Sequence, residues 1–141
     1  MNITVQGRPA PQGSKRHVGH GVLIESSKRV KPWREAVKEA CYTALAGKPP
    51  PKMDGPVYVD ITFYFERPKS AKKIVVLPTT RSTGDLDKLL RSTFDALTDA
   101  GIIMDDARIA SLFARKSFCY DRAEGADIFV KMIDTTSGTS A

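Results

Sequence analysis

The sequence predicts an α+β domain built on a mixed β-sheet with two main helices. Three observations lead there. Residues 56–66 set Val57, Val59, Ile61, Phe63 and Phe65 in alternation with Tyr58, Asp60, Thr62, Tyr64 and Glu66, the period of a strand with one buried face. Two other stretches, near residues 32–46 and 86–100, carry apolar residues at helical spacing. Shorter alternating runs lie at the N-terminus and after residue 108. The 141 residues suit one domain, placed at 1–134, followed by a Thr/Ser/Gly tail at 135–141 that lacks core residues and reads as disordered.

In chain order, residues 2–6 form a strand with Ile3 and Val5 inward. Glycine and proline then preclude regular structure, predicting a mobile loop whose charged tip is Lys15 and Arg16. His17 and His20 have no fixed partners in sequence and are not assigned as ligands. Val22-Leu23-Ile24 is a short strand. Pro32 suits the first turn of a helix, along which Trp33, Val37, Ala40/Cys41 and Ala44/Leu45 make one apolar stripe, and Gly47 closes it. Lys31, Arg34, Lys38 and Glu39 cover its outer face, and Trp33 is a core anchor. Pro49-Pro50-Pro51 is a stiff connector into the strand at 56–66.

The segment after that strand, Arg67-Pro-Lys-Ser-Ala-Lys-Lys, is basic and aperiodic. From Ile109 to Tyr120 apolar groups fall on both faces of an alternating run, so the sheet is expected to be covered on each side there, a second subunit being one such cover. Residues 121–125 read as a hairpin turn into a last strand at 126–133.

Composition narrows the function classes. No stretch approaches the length of apolar chain that spans a bilayer, and no charged-then-apolar leader opens the sequence, so a cytoplasmic protein without membrane association is expected. Cys41 and Cys119 lack C-x-x-C spacing and read as free thiols. The net charge of +6 is unevenly spread: residues 1–82 carry 15 Lys and Arg against 6 Asp and Glu, and residues 83–141 carry 7 against 10. A basic front half and an acidic back half fit a polyanion-binding surface built around an acidic metal pocket.

That pocket is expected in one run, Gly84-Asp85-Leu86-Asp87-Lys88-Leu89-Leu90-Arg91 and onward to Asp105-Asp106. Leu86, Leu90, Thr93/Phe94 and Leu97 recur at helical spacing, and Gly101 sits where a helix C-terminal glycine belongs. Residues i and i+2 share a face only on extended chain. Asp85 and Asp87 therefore converge only if the helix starts at about Asp87. The return through Ile102-Ile103-Met104 could then bring Asp105 or Asp106 to the same place, around a hard cation with oxygen ligands. The structural alternatives are a helix cap at Asp85, an i,i+4 ion pair of Asp87 with Arg91, and turn roles for Asp105 and Asp106. Arg67, Lys69, Lys72, Lys73 and Arg81 flank the run and are read as phosphate-contacting rather than merely solubilising.

The run from Asp85 through Ile109 resembles the signature of the RusA family, small Holliday junction resolvases often carried by phages and prophages, and the chain has the family's length. The resemblance implies that Asp85, Asp87 and Asp106 are metal-binding catalytic carboxylates, with Asp105 as the adjacent acidic partner. It implies Mg²⁺ as cofactor, with Mn²⁺ as an alternative, and no nucleotide cofactor. It implies a homodimer acting on four-way DNA junctions, and a DNA-contacting role for the loop of Lys15 and Arg16. Arg91 stands where many members have a catalytically important lysine, and Gly84 where many have proline. The competing expectation is a branched-DNA binding protein that keeps the fold without cutting.

Overall fold

The computed structural model describes residues 1–13, 16–17, 23–24, 28–71 and 73–134. Lys15, Lys72, His20 and the tail from residue 135 lie outside them, and of Arg16 and His17 only the backbone is described.

The elements run β1 (Asn2–Gln6), β2 (Arg16–His17), β3 (Leu23–Ile24), α1 (Val30–Leu45), β4 (Val57–Glu66), α2 (Leu86–Asp99), β5 (Ile109–Cys119) and β6 (Gly125–Met132). Single 3₁₀ turns at Arg81–Thr83 and Asp106–Arg108 bracket α2. The α+β class with a mixed sheet and two helices is as the sequence predicts. The sheet order is β1-β6-β4-β5, with β2 and β3 as a separate two-stranded pair. β4 pairs antiparallel with β6 and parallel with β5. A parallel neighbour needs a long crossover, and residues 67–108 with α2 at their centre supply it.

One expectation fails here. Residues 121–125 do not close a hairpin, because β5 and β6 lie on opposite sides of β4. The strand with the strongest alternation, β4, takes both as neighbours: its apolar face is wholly buried, and a central position satisfies its backbone on both edges. β5 is left as an edge strand. Its residues 110–113 are exposed, including Leu112 and Phe113.

The helices pack on the sheet face formed by Val57, Val59, Ile61, Phe63 and Phe65. Trp33 is a core anchor: its ring lies 6.4 Å from that of Phe63, and its indole N–H donates to Thr93 Oγ1 at 3.1 Å. Thr93 in turn donates to the Leu89 carbonyl, and Ser92 to the Ala10 carbonyl at 2.7 Å, so these buried hydroxyls on α2 are satisfied. The Ser92 bond, with Gln12 N–H donating to the Lys88 carbonyl, straps the segment after β1 along α2. α1 ends through left-handed Ala46 and then Gly47, one residue earlier than the glycine alone suggests.

Candidate active site

The approach to α2 is a built turn. Thr83 Oγ1 donates to the Thr80 carbonyl at 2.8 Å, and Gly84 follows at φ 86°. Proline cannot adopt that angle, so a proline at position 84 would not form this turn. A Cβ at Gly84 would also stand 2.7 Å from Pro11 Cγ, too close for any side chain. Lys116, on β5, reaches into the turn: its Nζ donates to the Gly84 carbonyl at 2.8 Å and to Thr83 Oγ1 at 3.1 Å. Half-burial pushes the Lys116 pKa down, and the nearby Asp85 carboxylate pushes it back up.

Asp85 is the residue before the helix, extended at φ −76° and ψ 140°, and its side chain caps no helix N–H. Its carboxylate is exposed, with Lys88 Nζ 3.4 Å away. Asp87 lies inside the first helical turn and is exposed. The helix thus begins one residue earlier than convergence of the pair on extended chain requires. Both carboxylates still gain from the positive end of the helix dipole. Arg91, one turn further on, is exposed.

The far end of α2 stops at Gly101, φ 78°. Its N–H donates to the Thr98 carbonyl, and the Ile102 N–H to the Leu97 carbonyl, the paired bonds of a Schellman end. Ile103 then bridges Met53, and the chain turns at Asp105. Asp105 Oδ1 accepts from the Ala107 N–H at 2.8 Å, a turn cap. Asp106 points back at the helix, where Thr98 Oγ1 donates to its Oδ1. It stands beside Asp95, whose Oδ2 accepts from Gln12 Nε2 at 2.8 Å. Burial raises the Asp106 pKa; the Thr98 bond lowers it, and the neighbouring Asp95 and Asp105 raise it again. Arg34, Asp95, Thr98, Asp99, Asp105 and Asp106 line one shallow pocket of about 230 Å³.

These are two sites rather than one. At about 1.5 Å rise per residue, Thr98 lies about 16 Å along the axis from Asp87, and Asp95 about 12 Å. The return path bridges Met53 near the helix C-terminus instead of running back, so Asp106 meets the last turns of α2 and not the first. Among the described residues, no three His, Cys, Asp or Glu side chains are grouped to hold an ion. One chain therefore does not fit a cation shared by Asp85, Asp87 and Asp106.

The basic residues divide. Arg67 is half-buried, its guanidinium 5.1 Å above the Phe118 ring and bonded to the Val75 carbonyl, which braces the loop it begins. Lys69, Lys73 and Arg81 are exposed, with Arg81 opening the 3₁₀ turn that leads to Asp85. Sequence reading missed two residues. Lys116 pairs in register with buried Phe63, and a lysine in the inward phase of β5 was the available signal. Asp95 lies two turns beyond Asp87 on the same face, and only the return of Asp106 marks it out.

No curated protein sequence matches this one. A family model, that of the endodeoxyribonuclease RusA, matches residues 6–131 and so takes in the Gly84 turn, both ends of α2 and Lys116. With that match over most of the chain, and the acidic helix it contains, the protein belongs to the RusA endodeoxyribonuclease family.

Proposed function

We propose that the protein cuts four-way DNA junctions by paired, symmetric nicks, as a homodimer that depends on Mg²⁺ or Mn²⁺. The observation that carries this reading is the division of the carboxylates between the two ends of α2. Two copies of α2 lying antiparallel about a twofold axis would set the Asp85–Asp87 end of one against the Asp95–Asp106 end of the other. A twofold substrate cut twice calls for the same symmetry. Leu90 and Phe94 on α2 are half-buried, and Leu112 on β5 is exposed although it is in phase with buried Val59, so apolar surface lies open beside the helix.

In this reading Asp85, Asp87 and Asp106 are the ion-holding groups, with Asp105 beside them. Arg91 is the cation placed for charge that develops on the scissile phosphate. Lys69, Lys73 and Arg81, with Lys15, Arg16 and Lys72, meet the phosphate backbone. The thiols Cys41 and Cys119 are unpaired, which suits the reducing cytoplasm.

Subunit mixing tests the proposal. Asp87→Asn and Asp106→Asn proteins should each bind a synthetic immobile junction and leave it uncut in Mg²⁺. Co-refolded together, they should regain single-strand nicking, because half of the sites in a mixed dimer receive both intact ends. A mixture that stays inert beside active wild type would place the site within one chain. Wild type that never nicks a junction in Mg²⁺ or Mn²⁺ would favour the second reading, a non-cutting branched-DNA binder, which the separation of Asp85 and Asp87 from Asp106 along α2 supports.

A further inference from the structure

Helix α1 buries Val30, Trp33, Val37 and Cys41 and turns the opposite side to solvent. Lys31, Arg34, Lys38 and Tyr42 follow one another at three- and four-residue steps, with Glu35 beside them, so they form one stripe, which Lys28 prolongs before the helix begins. Along the groove beside it, four cations thus stand against two carboxylates, Glu35 and Asp99. Lys28 and Lys31 are exposed and make no ion pair among the described residues, whereas Arg34 is bound to Asp99 at 2.9 Å and Lys38 to Glu35 at 3.4 Å. The stripe lines a groove of about 500 Å³. Arg34 and Asp99 line both this groove and the acidic pocket of Asp95 and Asp106, so the two adjoin at the Arg34–Asp99 ion pair.

We propose that the α1 stripe is a docking surface for a duplex arm of the DNA substrate, holding the phosphate backbone as it leaves the acidic pocket. The proposal rests on the nuclease reading and adds to it a binding surface that the sequence assigned only to the outside of a helix. The acidic pocket repels a phosphate backbone, so an arm passing it needs cations close by on its exit path, within about 10 Å at ordinary salt. The stripe provides them where the groove opens. From Lys28 to Tyr42 it extends about 20 Å at helical rise, and at 3.4 Å per base pair that is about six base pairs of one arm. The contacts are three ammonium groups and one guanidinium, about one cation per turn, which suits sequence-independent backbone binding rather than base reading. Exposed Tyr42 ends the stripe with an aromatic hydroxyl that can meet sugar or phosphate.

The test is junction binding by the triple variant Lys28→Gln/Lys31→Gln/Lys38→Gln, measured by gel shift without divalent ions over a range of salt. A control carries Lys48→Gln/Lys52→Gln/Lys131→Gln, cations that are exposed elsewhere. Lys28 and Lys31 are exposed and Lys38 is half-buried, so circular dichroism and thermal melting check the fold of the test variant. The stripe variant should bind at least about tenfold more weakly near 0.1 M salt, with a salt slope shallower by about 2 to 3, as expected for three lost phosphate contacts. The control should match wild type. An unchanged affinity and slope in the stripe variant, beside wild-type cleavage that Asp87→Asn abolishes, would overturn the docking surface and leave the nuclease reading standing. An equal loss in the control would also overturn it, by making the effect one of bulk charge. Wild type that neither binds nor cuts a junction would bring down the nuclease reading, and the docking surface with it.

Discussion

At the N-terminal end of α2, Asp85 and Asp87 stand in solvent and owe their placement to backbone: the Gly84 turn, its contact with Pro11 and the Lys116 clamp. At the C-terminal end, Asp95 and Asp106 are half-buried and owe theirs to side-chain bonds from Gln12 and Thr98. The same residue type has opposite consequences. Exposed carboxylates keep their hydration, so a change to them alters function and scarcely touches stability. The neighbouring pair at the other end holds like charges close together, so a change there also alters stability and its dependence on pH. Both ends lie on one helix, yet each is supported by a different distant segment of chain.

Three substitutions probe that contrast, the strongest first. Gly84→Ala places a Cβ 2.7 Å from Pro11 Cγ at a φ of 86°, a strained angle for any L side chain. It should cost about 2 kcal/mol in urea unfolding and reduce cleavage, since the turn that presents Asp85 must shift. A neutral result would show that the N-terminal end does not depend on this backbone.

Lys116→Met keeps the length of the side chain and removes both donors to the turn. Expected are a stability loss on the order of 1 kcal/mol and a cleavage rate about tenfold lower, with junction affinity little changed and partial rescue by Lys116→Arg. Unchanged cleavage would make Lys116 a packing residue only.

The smallest effect is the most diagnostic of the other end. Because the Asp106 pKa is raised in the folded protein, the folded state holds that proton more tightly than the unfolded chain does. The contribution to stability is full below the ordinary carboxylate value and is lost as pH rises through the raised one. Thermal melts in chelator should therefore show Asp106→Asn gaining on wild type between acid and neutral pH. Parallel curves for Asp106→Asn would remove the distinction between the two ends.

Much of this architecture was legible in the residues. The alternation of Val57 to Phe65, the Trp33–Val37–Cys41 stripe and the stop at Gly101 all appear in the structure where the pattern puts them. Two expectations went astray for one reason. Five turn-forming residues after Cys119 read as a hairpin, yet β6 crosses to the far side of β4. The short run Ile102-Ile103-Met104 was expected to return the second acidic pair to Asp85 and Asp87, yet Ile103 bridges Met53. In both cases a backbone partner distant in sequence decided the path.

By itself the sequence determined the class of fold, the extent of α2 and β4, and membership of a nuclease family through the density of one acidic helix motif, because these follow from periodicity, steric limits on φ and side-chain chemistry within a few residues of one another. Tertiary structure alone decided that β6 lies between β1 and β4, that Lys116 clamps the Gly84 turn, and that Asp106 joins Asp95 rather than Asp87. Those outcomes depend on which of several adequate partners each strand edge and polar group finds, and that choice is made by packing across the whole core.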